Sequence, residues 1–298
     1  MSKGRRLAYL ALLYNAVVWG AAFPVIKPAL DVISATEYLY LRFVVAGVLS
    51  LPLFIWWYVK KRPTLKKLSL YTVMELAGNV LPLLILYEGL ARTSALDASL
   101  IGATGPVFVV LGGIIFLRER QDKREWQGLA LSLLGSLIIV AEPLILGTRS
   151  DTASSTTGNL LILLYNVVWT IYAVVAKKVY KTNPPLYFGA VTYLGSALIY
   201  ALMMRSQGIS TSLTNLAIPS VALAVFYMAT LGSIIANICY LYAASKIEVS
   251  EANLFSYLNG VVAIPAAYLL LGEVPSWLTL IAVAVVAYGV LRAETRTK

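Results

Sequence analysis

Two clusters of side chains in this sequence are able to hold a small solute. Tyr14, Asn15 and Trp19 stand in the run Leu12-Leu13-Tyr14-Asn15-Ala16-Val17-Val18-Trp19, and Tyr165, Asn166 and Trp169 in Leu163-Leu164-Tyr165-Asn166-Val167-Val168-Trp169, one residue shorter. Each offers aromatic faces and an amide close together on a helix. Both lie near the middle of apolar segments of about twenty residues, not at the ends where membrane aromatics usually gather. An asparagine at that depth needs a partner, either a neighbouring helix or a ligand reached through a cavity. Asn79, Thr104, Asn237, Tyr240, Asn253, Tyr257 and Asn259 are further polar or aromatic candidates. Together they describe a neutral, amphipathic cavity in which an organic cation would also gain from the ring faces.

Other chemistries are excluded by what the chain lacks. It has no histidine and a single cysteine, Cys239, which removes imidazole proton relays, HExxH metal sites, serine–histidine or cysteine–histidine dyads and any internal disulfide. Asp31, Asp97, Asp122 and Asp151 all fall in loops or at segment ends, so no pair of intramembrane aspartates is available for hydrolysis. We therefore expect neither an enzyme nor a resident metal or cofactor. Charges inside apolar segments cost about 2.5–3.5 kcal/mol at mid-depth on the insertion scale, so the few present need partners or a function. Glu75 is the candidate for carrying a proton, unless it snorkels or pairs with a loop lysine. Lys27, Glu88 and Arg92 mark the outer mouth, where Glu88 would meet Lys27 or Arg92. Arg42 reads as a structural anchor and Glu37 lies near the same helix end. Glu119 and Glu273 sit where one helix ends and the next begins, and a carboxylate there suits the N-terminus of the following helix.

These groups must be positioned by membrane helices. Of 298 residues, 59% are hydrophobic and 13% charged, with a mean hydropathy of +0.79. A soluble domain carries about 25% charged residues. Uncharged runs such as 7–26, 98–117 and 252–272 can each cross a hydrocarbon core of about 30 Å as a helix and are too long for barrel strands. Charges and turn residues divide the chain into ten segments: 7–26, 37–59, 68–89, 98–117, 126–146, 159–176, 186–204, 218–243, 252–272 and 274–291. The net charge of +10 does not signal nucleic acid, because most of the 24 Lys and Arg fall in the termini and one set of alternate loops. By the positive-inside rule both termini are expected in the cytoplasm of a multi-pass cell-membrane protein. The basic start Lys3-Gly4-Arg5-Arg6 before an apolar run resembles a secretory leader, but the internal copy noted above leads us to expect the first segment to belong to the fold.

That copy is part of a longer repeat. Ala98 and Ala252, Leu100 and Leu254, Val107 and Val261, Glu119 and Glu273, and Gly135 and Gly289 all pair at one offset of 154. Five spans per half is an odd number, so the second half must enter the bilayer from the opposite side. The expected fold is all-α: ten transmembrane helices built as two inverted five-helix repeats, 1–146 and 159–298, joined by a polar external linker, 147–158. Such transporters bind near the midplane where matching helices are interrupted. Gly102-Ala103-Thr104-Gly105-Pro106 is one such weak point, and Asn259-Gly260 matches Gly105-Pro106 in the other half.

With these features the chain resembles the EamA-type ten-helix members of the drug/metabolite transporter superfamily. The resemblance rests on Trp19-Gly20 followed by Lys27, on Arg42, on the 98–119 stretch with Pro106, and on Leu271-Gly272-Glu273. It implies a basket of helices around a central cavity and export or facilitated passage of small amphipathic metabolites, such as amino acids, aromatic ones included, or drugs. Gly260 in place of proline and Thr170 in place of Gly20 depart from equivalence between the halves. Two rival readings remain: a carrier of sugar phosphates or nucleotide sugars, which would need a cationic cavity, and a non-transporting scaffold or receptor. The expected partners are a small solute and the bilayer. Small residues on segments five and ten leave monomer and homodimer equally open.

Overall fold

In a bilayer every backbone polar group must be satisfied within the chain, and every regular element among the described residues is a helix. The computed structural model describes residues 3–294 except 63, 118–122, 147–154, 180–188, 245, 248–254 and 256–257. The helices are α1 (Lys3–Gly20), α2 (Ala22–Leu30), α3 (Ala35–Lys61), α4 (Leu65–Asn79), α5 (Leu81–Arg92), α6 (Ala95–Gly102), α7 (Gly105–Leu117), α8 (Lys123–Leu146), α9 (Thr156–Val179), α10 (Gly189–Ser206) and α11 (Pro219–Phe226). A short 3₁₀ turn, Thr214–Ala217, precedes α11; a π-helical stretch, Tyr227–Ile235, follows it; then come α12 (Ala236–Ala244), α13 (Leu258–Leu271) and α14 (Trp277–Glu294).

By length and composition seven stretches among the described residues can cross a membrane: Gly4–Leu30, Ala35–Lys61, Leu68–Arg92, Ala95–Phe116, Trp126–Leu146, Thr156–Val175 and Pro219–Tyr240. Helices α10, α13 and α14 stand beside them. Most of the polar linker, 147–154, and Tyr257 lie outside the described residues. Leu10, Val17, Ile55, Leu134, Leu198 and Leu269 are exposed on the outside of the bundle, where lipid replaces water. The main core gathers Tyr38, Leu41, Phe43, Tyr87, Ile101 and Tyr200.

Lipid gives helices no hydrophobic reason to associate, so close packing over small residues takes its place. Helix α8 runs along α14, α3 along α10, α5 against α9, α1 against α12 and α6 against α13. At Gly135 an added Cβ would lie 2.5 Å from Val286 Cγ2 and 2.9 Å from the Ala282 carbonyl oxygen. At Gly289 it would lie 2.6 Å from Ser132 Oγ and 2.7 Å from the Gly128 carbonyl oxygen. Gly128, Ser132 and Gly135 thus meet Ala282, Val286 and Gly289 within one chain, while Ala284 and Ala287, the other small residues of segment ten, stay exposed.

Three helix pairs are interrupted by the same local pattern. Gly20 and Pro24, Gly78 and Pro82, and Gly102 and Pro106 are each four apart. Proline lacks the N–H that would bond the carbonyl four residues back and its ring crowds that carbonyl. The α1/α2, α4/α5 and α6/α7 junctions fall between those residues. The glycines admit neighbours there: a Cβ on Gly20 would sit 2.7 Å from the Asn259 carbonyl oxygen, and one on Gly78 2.5 Å from the Tyr172 ring.

Candidate functional site

The breaks converge on a cavity of about 380 Å³, within the usual range of about 300–1,000 Å³ for small-molecule sites. Trp19, Gly20 and Phe23 reach it from the first break, Asn79 and Leu83 from the second, Gly102 and Ala103 from the third. Tyr165 and Trp169 come from α9, Gly232 and Ser233 from the π-helical stretch, Asn237 from α12 and Asn259 from α13. Of the residues singled out by sequence, Trp19, Asn79, Tyr165, Trp169, Asn237 and Asn259 therefore share one wall system. Tyr165 and Trp169 have ring centroids 5.9 Å apart, and Trp169 and Tyr172 5.1 Å.

Asn15 and Tyr240 border a small adjoining pocket together with Trp19 and Asn259. Both amide atoms of Asn15 and the Tyr14 hydroxyl are buried without a hydrogen-bond partner among the described residues. A buried orphan polar atom costs about 1–3 kcal/mol, so this corner of the molecule is held in an unrelieved polar state.

Thr104, Pro106 and Asn166 serve the helix break and do not line the cavity. The Ile101 carbonyl accepts from the Thr104 hydroxyl at 2.6 Å and from Asn166 Nδ2 at 2.9 Å. Asn166 is only 2% exposed. Its amide thus replaces donors that the broken helix no longer supplies.

The π-helical stretch organises the opposite wall, and local periodicity does not reveal it. Rare π turns gather at functional sites, and here nine residues adopt that form. Trp19 Nε1 donates to the Gly232 carbonyl at 3.3 Å. The Ser233 carbonyl accepts from Asn237 Nδ2 at 2.7 Å and from the Tyr193 hydroxyl at 3.3 Å. The Tyr227 hydroxyl donates to the Val18 carbonyl at 2.7 Å, next to Trp19.

Arg42 is the charge that sequence reading left out of the site. It anchors the bundle, as expected, since Nη1 donates to the Tyr87 hydroxyl at 2.8 Å and Nη2 to Ser233 Oγ at 3.1 Å. It also lines the cavity. Arg42 is 7% exposed, and its guanidinium carbon lies 5.3 Å from the Phe43 ring centroid and 5.8 Å from that of Tyr87. Its depth in segment two could have been read as a cavity position, but only the rotation of α3 aims it inward.

Glu75 stands behind the wall: its Oε1 accepts from the Tyr172 hydroxyl at 2.9 Å, and Tyr172 packs on Trp169. At the other end of the bundle Glu88 pairs with Arg92. Lys27 does not meet Glu88; Nζ donates to the Leu90 and Ala91 carbonyls at 3.0 and 3.1 Å and lies 3.9 Å from Asp31. A cation suits these last carbonyls of α5. Glu273 departs from expectation. Its carboxylate accepts from the Ala95 and Leu96 N–H groups at 3.0 and 2.7 Å, capping α6 in the other half of the chain and not the helix that follows it. Gly272, with φ +68, provides the left-handed cap that ends α13 and turns Glu273 toward α6. Glu119 lies outside the described residues.

The chain resembles other membrane proteins over nearly its whole length. The uncharacterized transporter YdfC of Bacillus subtilis (strain 168) is 28% identical, covering 92% of this chain and 86% of its own. The uncharacterized inner membrane transporter YedA of Escherichia coli (strain K12) is 28% identical, covering 94% and 88%. A protein of Streptantibioticus cattleyicolor named "Probable terminal-alkyne amino-acid exporter" is 27% identical, covering 97% and 94%. A solved crystal structure shares the fold at a TM-score of 0.63 and 17% identity, covering 95% of this chain and 94% of its own. The EamA-like transporter family matches twice, over residues 6–141 and 156–293, so this chain is a membrane transporter of the EamA-like family.

Proposed function

We propose that the protein is an alternating-access carrier that exports small amphipathic metabolites, or lets them equilibrate, through the cavity around Trp19. Its substrates include amino acids, aromatic ones among them, or drugs of similar shape. The observation that carries this reading is the 380 Å³ cavity whose wall is made at three proline-broken junctions from rings and amides. Rings would stack the apolar body of the solute, and Asn79, Asn237 and Asn259 would bond its polar groups. In this reading the chain has ten spans in two inverted halves, 1–146 and 159–298, with both termini in the cytoplasm. The helix pairings support it, because α5 on α9 and α1 on α12 exchange when the halves are exchanged, while α8 on α14 and α3 on α10 map onto themselves. Being named an amino-acid exporter, the S. cattleyicolor relative supports the solute class. The cavity itself favours transport over a scaffold role. A sugar phosphate or nucleotide sugar would bring more negative charge than the single guanidinium of Arg42 answers.

The test is uptake of labelled neutral and aromatic amino acids into proteoliposomes, with and without an imposed pH gradient. We expect flux in both, and accumulation against the gradient only if Glu75 carries a proton; Glu75→Gln would then keep exchange and lose accumulation. Folded protein that moves none of these solutes would overturn the amino-acid reading.

A further inference from the structure

We infer that Arg42 is the receptor for a solute carboxylate, and that the cavity selects singly charged acids with an aromatic or apolar body, with or without an ammonium group. Arg42 is buried on the cavity wall, and among the described residues it forms no ion pair. Its two hydrogen-bond partners, the Tyr87 and Ser233 hydroxyls, are neutral, and Nε has no acceptor among the described residues. A guanidinium held this way keeps an uncompensated charge in a low-dielectric place, which is costly until an anion arrives. Asn79 lines the same cavity, and its buried Nδ2 also lacks an acceptor among the described residues. The site therefore holds unanswered donors and one cation.

The acceptor side is the reverse. No carboxylate lines the cavity among the described residues. The Gly232 and Ser233 carbonyls already accept from Trp19, Tyr193 and Asn237. A solute ammonium would find ring faces and the neutral oxygens of Asn79, Asn237, Asn259 and Ser233 but no opposite charge, whereas a carboxylate would meet planar guanidinium donors suited to its two oxygens. The charge balance and the aromatic walls thus define one solute class, an apolar monocarboxylate.

This rests on the carrier reading for passage through the membrane, but not for binding, and the two are separable. Four probes of matched size, 3-phenylpropionate, phenylalanine, phenethylamine and 3-phenylpropanol, would be titrated by calorimetry onto the purified full-length protein and onto Arg42→Gln and Arg42→Lys. Wild-type protein should bind 3-phenylpropionate at least about tenfold more tightly than the alcohol or the amine, the scale of a charge-assisted hydrogen bond, and no more weakly than phenylalanine. Folded Arg42→Gln should bind acid and alcohol alike, and Arg42→Lys should keep the preference in reduced form. Wild-type protein that binds the amine or the alcohol as well as the acid, or binds no acid, overturns the inference whether or not the variants fold. A folded Arg42→Gln that keeps the acid preference does so too. Acid that binds wild-type protein but is not moved in proteoliposomes would instead overturn the carrier reading and leave the Arg42 site standing.

Discussion

Asn15, Asn79 and Asn166 are one side chain in three settings, and the differences separate structure from function. Asn166 is bonded to the Ile101 carbonyl. Its replacement by alanine would strand that acceptor in part and cost about 1–3 kcal/mol. Asn166→Ala should therefore lower the yield and melting temperature of purified protein. Trp19 has one weak hydrogen bond, to the Gly232 carbonyl at 3.3 Å, and presents its ring to the cavity. Trp19→Ala should reduce transport more than protein level, measured as initial uptake rate against the amount of folded protein in the same vesicles. Equal loss of both would place Trp19 in the scaffold and not in the solute's path.

At the scale of the element, one half of the chain holds the other by a helix terminus. Four N–H groups at the start of any helix lack partners. At α6 the Ser94 hydroxyl takes the Asp97 N–H at 3.0 Å, and Glu273 takes those of Ala95 and Leu96. A carboxylate there gains from the helix dipole as well as from two bonds. Glu273→Gln keeps one acceptor oxygen and loses the charge, so α6 should open locally. Hydrogen exchange at the Ala95 and Leu96 amides is expected to speed up by about tenfold, the equivalent of roughly 1.4 kcal/mol. Unchanged protection of those amides would show that the cap contributes nothing at that helix end.

For the whole molecule, the packing of α8 on α14 decides whether the halves join. Any side chain at Gly135 would press on Val286 and on the Ala282 carbonyl, and backbone atoms cannot swing aside as a flexible side chain can. Overpacking a well-filled contact costs about 1–3 kcal/mol or more. Gly135→Leu should therefore abolish the monodisperse peak in size-exclusion chromatography of detergent extracts, and Gly289→Leu should do the same. A monodisperse and heat-stable Gly135→Leu would mean that these helices do not meet at glycine.

Composition and periodicity alone determined that the chain is a helical membrane protein, because uncharged runs of about twenty residues have few other stable fates. The constant offset between the halves and the prolines at 24, 82 and 106 were also open to view, and the four-residue spacing from glycine to proline was the unused clue to the cavity. Tertiary structure decided which polar groups face it. Helices apolar all round carry no amphipathic stripe to say how each is rotated, so Asn166 and Asn79 looked alike until neighbours settled one against Ile101 and placed the other on the cavity. The same holds for Arg42, whose depth was legible but whose aim was not. The π-helical turn, which gives that guanidinium Ser233, leaves no mark in local spacing.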